Sequence, residues 1–374
     1  MPYAELSAVK HLVQPGLPLP FNVRDADRTL LLARGHVLEA YEQIDALFDR
    51  GALVDIDELL TRADVVRQAP RDQLPQLWAG CLDEVAKTLR ADPGPGYEGA
   101  LDDATGPVQA LIERDPDLAI FQVLRQGASA DAAYGVHRSL QTAITGHLVA
   151  QRLAWSPEQS ARLFKVALTM NISMLELQGK LARQTQPPTP QQRLELQSHP
   201  MRSVRMLQQA GVNDEAWLEA VLHHHEQEDG TGYPSGRTEV GELATLARRA
   251  DIYTSKLASR STREALNADQ AGRQMFMQDP GHPMTAALVR EFGIYPPGCY
   301  VRLNSGETGI VVARGATITT PVVACLTTPS GALLAEPQRR ATDGKACAVA
   351  GVVGERQLGT PLPLERLAAL VTAV

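Results

Sequence analysis

Leu222-His223-His224-His225-Glu226-Gln227-Glu228-Asp229-Gly230-Thr231-Gly232-Tyr233-Pro234 is the most informative stretch of this chain. The helical run that begins near Asp214 should end there, and Gly230 and Gly232 let the backbone turn sharply before Tyr233-Pro234. Ring nitrogens are thereby gathered at a helix terminus. Neutral imidazole is the commonest metal ligand near pH 7, and with His199 four of the nine histidines fall within 27 positions.

Outward from this stretch, residues 107–295 read as one helical bundle with legible starts and stops. Ser156-Pro157-Glu158-Gln159 has the form of a capping box, Thr189-Pro190 and Asn213-Asp214 are further helix starts, and Gly211 is a natural terminator. Towards the N-terminus, residues 1–68 predict a small α+β module. In it, two short strands flank Asp25-Ala26-Asp27, and a helix carries Ile44, Leu47 and Phe48. Residues 69–106 read as a helical connector that closes with the breaker cluster Asp92-Pro93-Gly94-Pro95-Gly96. Beyond Tyr295-Pro296-Pro297-Gly298 the period changes. Val301 and Leu303 alternate with polar residues, Asn304-Ser305-Gly306-Glu307 forms a turn, and Ile310 to Val312 return, so 296–374 predicts a β-rich appendage. The fold class is mainly α with small β modules at both ends.

Composition excludes several functions. The chain has 374 residues, is 44% hydrophobic and carries net charge -7, so it can bury a core and shows no basic excess for DNA. No run reaches the roughly 20 apolar residues of a membrane span. The start MPYAELSAVKHLVQPG lacks a signal-peptide pattern, which makes the cytoplasm the expected location. Cys81, Cys299, Cys325 and Cys347 are too scattered for a disulfide framework or a cysteine zinc site.

His224-His225-Glu226 followed by Asp229-Gly230-Thr231-Gly232-Tyr233-Pro234 resembles the H-H-E-x-x-D-G-x-G-Y-P signature of the HD-GYP family. That family comprises metal-dependent phosphodiesterases that hydrolyse cyclic di-GMP and resemble the wider HD phosphohydrolases. His137, His199-Pro200, Ala250-Asp251, Arg260 and the tail YPPGCYVRLNSGETGIVV fall in the family's order, over about residues 120–330. The resemblance implies an HD-type bundle, metal ligands at His137, His199, His224, His225 and Asp251, and substrate-phosphate contacts at Arg260 and Arg263.

One departure stands beside the match. Where the family has a stretch like A-L-L-H-D-I-G-K, this chain has Val166-Ala167-Leu168-Thr169-Met170-Asn171-Ile172-Ser173-Met174. The namesake His-Asp pair is Met170-Asn171, a lysine is Met174, and Ala133 offers no carboxylate one turn before His137. A thioether and a neutral amide suit hard catalytic cations poorly. A shared carboxylate is what holds two cations about 3.5–4 Å apart for in-line attack. The expectation is therefore at most one divalent ion, iron, manganese or zinc, or none.

Two functions follow from the resemblance. In the first, a degenerate HD-GYP protein acts by binding a cyclic dinucleotide, or a partner such as a diguanylate cyclase (GGDEF) domain, with Tyr233 as an exposed anchor. In the second, a reduced site on His199, His224, His225 and Asp251 still hydrolyses the ligand. Plainer readings stay open: His137 or His199 as a core histidine, His223 as a packing residue, Asp229 to Gly232 as a structural turn, Tyr233 packed inward, and Arg260 and Arg263 as solvated charges.

Overall fold

The computed structural model describes residues 3–125, 133–355 and 362–373, which form two compact units, 1–68 and 69–374. The first is an antiparallel sheet of β1 (Tyr3–Glu5), β2 (Val23–Arg24), β3 (Leu30–Leu32) and β4 (Leu53–Asp55) in the order β1-β4-β2-β3. Its helices are α1 (Tyr41–Asp49), α2 (Ile56–Leu59) and α3 (Arg62–Gln68). Phe21, Val23, Ile44 and Val54 fill its core, and Glu58 holds Asn22 through both backbone and side chain.

The second unit begins with α4 (Leu74–Arg90), α5 (Tyr97–Arg114), α6 (Pro116–Arg125) and α7 (Tyr134–Arg152). α5 runs unbroken through Pro107, so the compositional border at residues 106–107 falls inside a helix. There follow α8 (Pro157–Thr169), α9 (Leu175–Arg183), α10 (Pro190–Gln209), α11 (Glu215–His223), α12 (Glu242–Leu257), α13 (Ala268–Gln278) and α14 (Pro283–Phe292). α7 is buried on nearly every face, as expected of a helix packed by α6, α8, α9, α12 and α14.

The helix starts obey local chemistry. Ser156 Oγ accepts the Gln159 N–H while Gln159 Oε1 accepts the Ser156 N–H, and Thr189 with Gln192 repeats this reciprocal pair. Asp214 caps α11 by accepting the Trp217 N–H, and the buried Trp217 indole donates to Thr169 Oγ1. That pair of contacts fixes where α11 begins and ties its first turn to the end of α8.

The tail is an antiparallel sheet of β5 (Tyr300–Leu303), β6 (Thr308–Ala313), β7 (Val322–Thr327), β8 (Leu333–Ala341) and β9 (Val349–Val352), in the order β8-β7-β6-β5-β9. β5 and β6 form the hairpin read from the sequence, with Tyr300 opposite Ile310. A closing helix, α15 (Leu364–Thr372), buries Leu367 and Val371 and packs against α4 and α6, a feature the β-rich reading of 296–374 omitted. The four cysteines are free. Among the described residues, no helix is long and apolar enough to cross a membrane.

Candidate metal centre

His199 lies in the middle of α10, directly before Pro200. Proline has no N–H, so the carbonyl four residues earlier, that of Leu196, has no helical donor. His199 Nδ1 takes that carbonyl at 2.6 Å. His224 follows the last residue of α11, where the terminal carbonyls are likewise free of helical donors, and its Nδ1 lies 2.7 Å from Val221 O. Both rings therefore carry their proton on Nδ1, the tautomer these partners assign.

The consequence falls on the other nitrogens. His199 Nε2 and His224 Nε2 are 3.1 Å apart, so two unprotonated lone pairs confront one another. His225 completes the group, its ring 5.0 Å from that of His199 and 4.2 Å from that of His224. One donor atom from each of the three lies within 4.8 Å of the others, and among the described residues this is the group that converges in that way. Burial, and then mutual repulsion, hold all three rings at about 3, so they stay neutral at pH 7. Three neutral nitrogens, two oriented by N–H to carbonyl bonds, are a donor set that fits one cation.

The turn is built around a carboxylate. Glu226 is 1% exposed, and it accepts the Ser235 N–H at 2.6 Å and the Arg237 N–H at 3.2 Å. Asp229 accepts the backbone and hydroxyl of Thr231. Gly230 has φ +75°, and a Cβ on Gly232 would lie 2.4 Å from Glu226 Cα, so both positions require glycine. Tyr233 is then laid on His225, its N–H reaching His225 O at 3.3 Å. It is half-buried, and its hydroxyl pKa is pushed up by burial, so the expected exposed anchor is corrected to a ring packed inward.

The other predicted ligands stand apart from the three histidines. His137 lies in the first turn of α7 and is not among the converging donors. Asp251, on α12, is engaged by Arg138: the guanidinium Nη2 donates to Asp251 Oδ1 at 2.8 Å and to its backbone carbonyl at 2.9 Å. Arg138 was not foreseen, since nothing in the sequence joins residues 113 apart. Met170 and Asn171 are buried in the turn after α8, and Asn171 Oδ1 has no hydrogen-bond partner among the described residues. Arg260 and Arg263 are exposed. Arg260 bonds Tyr134 Oη and Ser255 Oγ, and Arg263 bonds the Ser255 carbonyl. His223 is buried, 3.8 Å from Glu226.

Comparison with known proteins finds relatives of the helical region. Residues 123–279 match the HD domain family. A stretch of 131 residues is 36% identical to cyclic di-GMP phosphodiesterase PA4108 of Pseudomonas aeruginosa, covering 33% of this chain and 31% of that protein. Residues 123–279 are thus an HD domain, and that match together with the Pseudomonas relative supports an HD-GYP assignment. The match to the Pseudomonas relative thus spans under a third of its length. Among solved structures, Bd1817, an HDG"Y"P protein from Bdellovibrio bacteriovorus, aligns with TM-score 0.49 and 15% identity over 77% of this chain and 97% of that one. The three clustered histidines and the turn from Asp229 to Pro234 form one continuous structure, with Tyr233 stacked on His225.

Proposed function

We propose that this chain is a degenerate HD-GYP protein of cyclic di-GMP signalling in the cytoplasm, impaired in hydrolysis and acting by binding a cyclic dinucleotide or a partner. The observation that carries this reading is the neutral, buried Met170-Asn171 pair in a chain whose converging donor set is three histidines. A neutral amide supplies no shared carboxylate to bridge two dications held about 4 Å apart. The centre suits one ion, zinc, manganese or iron, held by His199, His224 and His225. Such an ion would supply a Lewis acid for a phosphoryl oxygen. Arg260 and Arg263, both exposed, are the cationic groups available to a cyclic dinucleotide's phosphates.

The cyclic di-GMP phosphodiesterase activity named for the Pseudomonas relative supports the ligand class. The intact histidine cluster favours one alternative, a slow phosphodiesterase with this reduced site. Assays of cyclic di-GMP hydrolysis with added zinc, manganese or iron, run beside a direct binding titration, separate the two. Binding with little hydrolysis is the expected result, whereas turnover on the order of 1 per second refutes the impaired reading. A diguanylate cyclase domain is the partner to test first by capture.

A further inference from the structure

Arg138 is 3% exposed, on a helix buried on nearly every face, and its charge is directed at the side chain and the backbone carbonyl of one residue, Asp251. A buried guanidinium is costly unless a carboxylate meets it, and here the partner is the partly buried Asp251. The surrounding hydroxyls keep the pair in place. Thr142 Oγ1 bonds the Arg138 carbonyl at 2.9 Å, lies 3.4 Å from Asp251 Oδ1 and 3.1 Å from Thr254 Oγ1.

We propose that Arg138 is a built-in cation that neutralises Asp251 and thereby confines ion binding to the three-histidine cluster. A dication approaching Asp251 would meet a carboxylate whose Oδ1 is already paired with the guanidinium, which has no other carboxylate within ion-pair distance among the described residues. Arginine does not lose its proton to make way. Arg138 is thus a residue that sets the number of ions, not a ligand. The inference rests on the metal-binding reading above and adds to it the group that excludes a second ion.

The test uses the full chain as wild type, Arg138→Gln and Arg138→Lys, stripped with chelator, loaded with zinc or manganese, desalted and measured for ions per chain and melting temperature. Wild type and Arg138→Lys, which both keep a cation, are expected to hold one ion. Arg138→Gln is expected to melt lower when stripped, to take a second ion, and to regain more melting temperature on loading than wild type does. One ion in wild type and one in a folded Arg138→Gln overturns this proposal alone. Ions in none of the three proteins overturn the metal-binding reading as well. If Arg138→Gln does not fold when stripped, the same measurements are made on protein purified with the ion present, and Arg138→Lys binding two ions overturns the proposal by itself.

Discussion

Tyr233 stacks on His225, with ring centres 4.5 Å apart and planes 16° from parallel. The motif's terminal aromatic is therefore a wall of the histidine cluster, which converts a question about partners into one about packing. Tyr233→Ala is expected to cost on the order of 2 kcal/mol, less than the loss of a fully buried aromatic, because the ring is only half-buried. Tyr233→Phe keeps the stack and should melt near wild type. Lost capture of a diguanylate cyclase domain by Tyr233→Ala at unchanged melting temperature would restore the docking role.

Glu226 accepts two backbone N–H groups of the loop it precedes, so its charge ties residues 235–237 to the end of α11. In Glu226→Gln the amide turns a donor towards one of those N–H groups. An unsatisfied buried donor costs about 1–3 kcal/mol. Hydrogen exchange should accelerate at Ser235 and Arg237 while the amides of α7 keep their protection. Unchanged exchange at both would show that the loop is held by other contacts.

Away from the centre, His147 provides a test of acid sensitivity. It is 3% exposed, meets Phe164 edge-on, and burial lowers its pKa from 6.5 to about 4. Between those values the unfolded chain binds the proton and the folded chain does not, so stability is fully present above about 6.5 and falls as pH drops towards 4. One such group contributes a slope of about 1.4 kcal/mol per pH unit. Denaturant titrations across this range should give a shallower dependence for His147→Gln than for wild type, and equal slopes would refute the assignment.

What the sequence disclosed followed the range of the interactions. Ser156 with Gln159 and Thr189 with Gln192 act over three residues, so the caps were legible, as was the hairpin around Asn304-Ser305-Gly306-Glu307. The convergence of His199 with His224 and His225 was readable only through the motif's resemblance. The Arg138–Asp251 pair, 113 residues apart, had no local signal. The direction of Tyr233 was settled by the loop geometry that Gly232 permits, since a Cβ there would collide with the Glu226 backbone. α15 escaped because alternation earlier in the tail suggested strands throughout.

Restoring the missing pair tests how far the centre has changed. Asn171 is 3% exposed, so Asn171→Asp buries a carboxylate beside Met170, and uncompensated burial of this kind costs several kcal/mol. The double variant Met170→His, Asn171→Asp should therefore melt below wild type in chelator and gain more than wild type when zinc or manganese is added. Because Arg138 still holds Asp251, the expectation is one ion bound more tightly, not two, with cyclic di-GMP turnover remaining well under about 1 per second. Ion analysis and calorimetric titration of the loaded double variant check this directly. An unaltered affinity in a folded protein would show that the apolar side chains around Met170 have closed the pocket, and two ions per chain would show that the restored carboxylate outcompetes the guanidinium.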